Sequence, residues 1–102
     1  MNFLTESKAR VYSLGSGLTA VAPAASVPVK PSHGQMTLQI TVAGGSARSV
    51  QAEISFDGVT YVAVGTARTT TGTFIELIPA APRVRLNITA NTGSTIGGKL
   101  YA

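Results

Sequence analysis

Cysteine and tryptophan are missing from this chain, histidine occurs once, and only 12% of its 102 residues are charged. Without cysteine there is no disulfide staple, no thiol nucleophile and no thiolate metal site. His33 has no second imidazole to share a metal with, and a surface or interface histidine is the expectation. Acids are just as scarce. Glu6, Glu53, Asp57 and Glu76 are the whole set, and they form no sequence pair of the kind that glycoside hydrolysis uses. No run approaches the ~18 consecutive apolar residues of a membrane span. The start, Met1-Asn2-Phe3-Leu4-Thr5-Glu6-Ser7-Lys8, lacks a basic segment followed by a long apolar one, so no secretory signal is expected. These absences argue against enzyme activity. No catalytic residue, cofactor site, metal ligand or membrane partner is expected, and a soluble protein made in a cytoplasm is the default.

The shortage of charge carries information of its own. A soluble monomer draws about a quarter of its residues from Asp, Glu, Lys and Arg, roughly twice the share found here. Such a surface suits contact with other protein subunits better than isolation in water. The net charge of +4 comes from Lys8, Arg10, Lys30, Arg48, Arg68, Arg83, Arg85 and Lys99, scattered with no run longer than an alternating pair. Scatter of this kind disfavours a nucleic-acid stripe. Arg83 and Arg85 would share one strand face and could hold phosphates, but no aromatics are interleaved with them for base stacking. Pairing with Glu53, with Glu76 or with acids on a neighbouring subunit is the expected use of both.

What the chain does have is a two-residue alternation. Met36, Leu38, Ile40 and Val42 interleave with Gln35, Thr37, Gln39 and Thr41; Val50, Ala52, Ile54 and Phe56 with Gln51, Glu53 and Ser55; Val84, Leu86 and Ile88 with Arg83, Arg85, Asn87 and Thr89. A period of two sends one set to each face of a pleated sheet, which predicts half-buried β-strands. Further strands are expected over 59–66, over 73–78 as a more fully buried strand, and over 95–101. Leu38, Ile40, Val50, Ile54, Phe56, Leu77, Leu86 and Ile88 are the expected core.

Residues 1–34 read differently. Pro23, Pro28 and Pro31 bias their predecessors toward extended geometry, and no helical period is present. Short strand pieces are expected at 10–14 and 18–22, and proline would confine a strand at 26–30 to a sheet edge. The fold class is all-β: an antiparallel β-sandwich or jelly roll over 35–102 with an extended N-terminal arm over 1–34.

Ser55-Phe56-Asp57-Gly58-Val59-Thr60-Tyr61 is the most motif-like stretch. It resembles the Asp-box of sialidase-type β-propellers, with one spacer fewer, Tyr61 in place of a tryptophan, and a single copy where propellers repeat the unit. A structural hairpin is expected, with Asp57 capping the turn and Tyr61 packing across the strands; a ligand-facing loop is the alternative. Gly97-Gly98 marks a bulge or a close backbone approach, with no helix after it to complete a phosphate site.

The stretch from Glu53 to Gly65, followed by Pro79-Ala80-Ala81-Pro82-Arg83-Val84-Arg85-Leu86-Asn87-Ile88, is similar to small β-sandwich virion proteins of tailed bacteriophages. In those proteins a strand ending in Ser-x-Asp-Gly and an aromatic is followed by a later Arg-Val-Arg-Leu-Asn-type strand. The resemblance implies a non-enzymatic structural role in the virion, as a capsid decoration (cement) protein bridging and stabilising major capsid subunits. It transfers no catalytic or binding residue. A neck, tail or fibre accessory protein, including a carbohydrate-binding module, is the alternative. The expected partners are the major capsid protein or other virion proteins and further copies of the chain, with a trimer as the preferred oligomer.

Overall fold

The computed structural model describes residues 10–102, which form eight β-strands and no helix. In chain order they are β1 (Val11–Leu18), β2 (Val27–Pro28), β3 (Gln35–Ala43), β4 (Ser46–Ser55), β5 (Val62–Arg68), β6 (Gly72–Pro79), β7 (Arg83–Thr92) and β8 (Thr95–Tyr101). Two four-stranded sheets result, ordered β1-β8-β3-β6 and β2-β7-β4-β5. Every pairing is antiparallel. Nested pairs β1·β8, β2·β7, β3·β6 and β4·β5 are joined sideways by β8·β3 and β7·β4. A long hairpin rolled over onto itself produces this order, so the sandwich is a jelly roll.

The alternating stretches supply the middle of it. Met36, Leu38, Ile40 and Val42 of β3 face inward, as do Val50, Ala52 and Ile54 of β4, Val84, Leu86 and Ile88 of β7, and Ile96 and Leu100 of β8. Each strand's alternate residues point away from the core, as the pleat requires. Gly44 and Gly45 carry the chain from one sheet to the other at φ 68° and 67°. A Cβ on Gly45 would collide with the backbone nitrogen of Ser94, so this corner is closed to any larger residue. Ser94 Oγ in turn donates to Gly44 O at 2.8 Å.

Three expectations are corrected. The segment expected as an arm supplies an edge strand to each sheet: β1 pairs with β8 from Val11↔Tyr101 to Leu18↔Ile96, and Val27–Pro28 pairs with β7. Leu14 and Val29 are core residues, and the Lys30 N–H donates to Tyr12 Oη at 3.2 Å. What was read as an arm is therefore built into the sandwich from Arg10 onward, while residues 1–9 of it lie outside the described residues. Second, β6 is not fully buried. Phe74, Glu76 and Ile78 form its inward set, and Leu77 is 60% exposed. Third, Phe56 is 73% exposed, because the chain leaves the sheet after Ser55 and the connection to β5 runs over residues 56–61 rather than a two-residue turn.

The burial pattern makes a direct contrast testable. Ile54→Ala should cost about 2–5 kcal/mol, the range for an aliphatic core truncation, whereas Leu77→Ala should stay within about 0.5 kcal/mol. Urea unfolding of the two variants beside the parent checks both values.

Candidate interaction face

The two sheets turn very different faces to the outside. On the β2-β7-β4-β5 sheet, Glu53 of β4 lies opposite Arg85 of β7, and the pair meets at 2.7 Å. Asn87, one step along β7, donates to the other oxygen of Glu53 at 3.1 Å. The Arg85 guanidinium also lies 3.7 Å from the centre of the Tyr61 ring, a cation–π stack. Gln51 donates to Gly65 O, and Arg83 to Ser26 Oγ at 3.0 Å. The polar groups of this face are thus bonded to one another. Arg85 pairs with Glu53 as expected, while Arg83 finds a serine rather than a carboxylate.

The other two acids among the described residues are likewise used internally. Glu76 points inward from β6 toward β5, where it accepts from the Thr66 N–H at 2.9 Å and pairs with Arg68 at 3.2 Å. Gly65 makes the approach possible, since a Cβ there would lie 2.7 Å from the Glu76 carboxylate. Arg68 also stacks over Phe74 at 4.8 Å. Asp57 Oδ1 accepts from the N–H groups of Val59 and Thr60, both at 2.8 Å, and from Ser55 Oγ at 3.1 Å. Ser55 is itself buried and accepts from Gly58 N–H at 2.8 Å. This is the structural turn expected of the Asp-box-like stretch, with Tyr61 stacked across the sheet. It holds Phe56 and Val59 out at its tip, 73% and 82% exposed.

The outer face of the β1-β8-β3-β6 sheet lacks such a network. Its register places Val11, Tyr101, Thr37 and Leu77 in one row across four strands, Ser13, Lys99, Gln39 and Ile75 in the next, and Gly97, Thr41 and Thr73 in a third. Lys99 is the one charged side chain among these positions. Val11, Ile75 and Leu77 are 59%, 65% and 60% exposed. A shallow depression of about 270 Å³ crosses the face, floored by Gly97 and bordered by Ser13, Gln39, Thr41 and Lys99. The close approach expected at the glycine pair is present: a Cβ on Gly97 would sit 3.3 Å from Gly15 O, and one on Gly98 would sit 2.8 Å from Leu86 Cδ1. The face presents hydroxyls, amides and aliphatic side chains beside the Lys99 ammonium.

His33 lies exposed in the connection between β2 and β3. No cluster of three or more His, Cys, Asp or Glu residues that could hold a metal ion occurs among the described residues. Glu6 lies outside them. Sequence reasoning missed Ile75 and Leu77 as surface residues, although Glu76 between them was a usable signal. A carboxylate in the period of Phe74 and Ile78 shows that the run is not uniformly apolar, and its contacts with Thr66 and Arg68 identify its face as the inward one. No family model, curated protein or solved structure matches this chain.

The Asp57 turn has a pH signature. Hydrogen bonds from the Val59 and Thr60 amides, then from Ser55, hold its carboxyl below the ordinary value of 3.8. A depressed folded pKa contributes stability above the ordinary value and loses it as pH falls through the depressed one. The Val59 and Thr60 amides should therefore stay protected from hydrogen exchange at mildly acidic pH and lose protection only below the usual carboxylate range. In Asp57→Ala they should be unprotected throughout.

Proposed function

We propose that the chain is a non-enzymatic structural protein of a virion, a decoration protein that lies against major capsid subunits and ties neighbours together. The observation that carries this reading is the outer face of the β1-β8-β3-β6 sheet. It is broad, has one charge among the aligned positions, and exposes Val11, Ile75 and Leu77. Exposed aliphatic side chains at both edges of a face with so little charge suit contact with another protein. On the other sheet Glu53 is taken up by Arg85 and Asn87, and Arg83 by Ser26. Fold-level analogy points the same way, since jelly rolls serve in viral capsids, although a fold alone assigns no function. Many weak contacts repeated over a shell add up through multivalency, so no single deep site is required.

A second reading has its own observation. The depression at Gly97 is lined by Gln39, Ser13, Thr41 and Lys99 among others, residue types that can bond sugar hydroxyls, and jelly rolls also serve as lectins. That reading is a carbohydrate-binding accessory of the neck, tail or fibre.

Stoichiometry in purified particles separates the two. Decoration requires on the order of hundreds of copies per particle, read by gel densitometry or cryo-microscopy. About a dozen or fewer would move the protein to the neck, tail or fibre. Absence from particles would reject the virion role altogether.

A further inference from the structure

A sandwich of two open sheets has four edge strands, and each edge is a potential template for another chain. Three of the four are blunted. β1 is broken by register shifts at Gly15 and before Leu18. β2 is two residues long and ends on Pro28. β5 shifts register beside Gly65, and its Thr66 N–H is already taken by the Glu76 carboxylate.

β6 has none of these defences. It pairs with β3 in unbroken register from Gln35↔Pro79 to Val42↔Gly72. The direction of its free groups follows from the ladder. One step beyond that register, the Ala80 N–H donates to Gly34 O at 3.1 Å, which makes Gly34–Ala80 a bonded pair. Bonded and non-bonded pairs alternate in an antiparallel ladder, so Ile78, Glu76, Phe74 and Gly72 bond to β3. Thr73, Ile75 and Leu77 then direct their N–H and C=O groups away from the sheet. The far side of the sheet agrees. Arg10 and Ala102 exchange both bonds, at 2.8 and 2.9 Å, which assigns the even-numbered residues of β8 to β1 and the odd-numbered ones to β3, opposite Thr37, Gln39 and Thr41. Pro79, the one residue of β6 that has no N–H to give, falls in the outward set, where proline is tolerated.

We infer that β6 is an interaction edge, and that its occupant is β6 of a second copy of this chain, paired antiparallel about a two-fold axis through Ile75. In that register Ile75 faces Ile75 of the second copy, and Thr73 faces its Leu77, each pair exchanging both N–H···O=C bonds. All three outward residues are satisfied, and Ile75 and Leu77 gain apolar neighbours on the outer face. The strand's one charge decides between registers. About Ile75, Glu76 stands opposite Phe74 of the other copy. A shift that centres the axis on Glu76 would bring two carboxylates face to face, a destabilising cross-strand arrangement, and would set Pro79 against Thr73, where a donor is wanted. Arg68 already neutralises Glu76 within each copy, so no charge opposes closure. The product is one continuous eight-stranded sheet with the low-charge faces side by side. This edge generates a dimer and by itself no trimer.

The inference concerns the isolated chain and stands apart from the virion reading, which particle stoichiometry tests. Sedimentation of the full chain from micromolar to millimolar concentration should show the mass rising from 10.4 kDa toward twice that value. Over the same range, hydrogen exchange at Thr73, Ile75 and Leu77 should slow by about tenfold or more. Exchange at Phe74, Glu76 and Ile78, already bonded to β3, should not change. Ile75→Pro removes the outward donor without breaking a bond to β3, and Ile75→Lys opposes two ammonium groups at the axis while leaving the backbone intact. Both variants should stay monomeric, and Ile75→Lys should keep the parent's circular dichroism. A parent that is monomeric at every concentration would overturn the inference. So would a mass three times that of the chain, a dimer whose three outward amides exchange as in the monomer, or a dimer that survives Ile75→Lys.

Discussion

Everything in this molecule depends on closing two half-apolar sheets over each other in fixed register. A slip of one residue in any ladder would turn that strand's buried set out to solvent. Leu38, Ile40, Val50, Leu86, Ile88, Ile96 and Leu100 come from four different strands and are all within 2% of complete burial. The strands that carry them are drawn alternately from the two halves of the chain, so neither half can form a closed core without the other. The rolled hairpin order follows from this requirement. Arg10 and Ala102 exchange both backbone bonds, so the first and last described residues meet in the β1–β8 pair.

With so few charges available, their placement shapes the surface. The three acids among the described residues are drawn into local duties: Glu53 into the Arg85–Asn87 cluster, Glu76 into the junction between the edges of the two sheets, and Asp57 into its turn. Each duty fixes an element that apolar packing alone would leave loose. Glu76 is the most economical of the three, since one carboxylate occupies the free amide of β5 and anchors Arg68 over Phe74. The consequence appears on the opposite side of the molecule. The β1-β8-β3-β6 face is left with hydroxyls, amides, aliphatic side chains and Lys99, and the outward backbone groups of β6 at Thr73, Ile75 and Leu77 belong to no ladder among the described residues.

The alternation in β3, β4 and β7 was legible because one set of side chains is apolar and the other polar, so period and face could be read together. β6 resisted the same reading. Thr73-Phe74-Ile75-Glu76-Leu77-Ile78 is apolar on both faces, and only the environment of the carboxylate tells inside from outside. Phe56 continued the β4 alternation and was assigned to the core for that reason, but Ser55 is where the strand ends, and the Asp57 turn redirects everything after it. The arm was misread for a different cause. Prolines and glycines mark 15–34 as irregular, yet the partners of β1 and β2 lie in β8 and β7, far along the chain, and no local pattern encodes that pairing. The charged cluster was half visible: the Glu53–Arg85 pair follows from the residue types, while the roles of Asn87, Thr66 and Gly65 require the register.

The central claim is that residues from Arg10 onward belong to one rolled sandwich, with β1 and β2 as integral edge strands. Interstrand nuclear Overhauser contacts in the dilute, partner-free protein test it most directly. Backbone contacts should link Tyr12 to Leu100 and Val27 to Val84, alongside those linking Leu38 to Leu100 and Ile54 to Val84. Contacts confined to the last two pairs, with residues 10–30 resonating at random-coil positions, would show a free arm on a smaller sandwich and contradict the account.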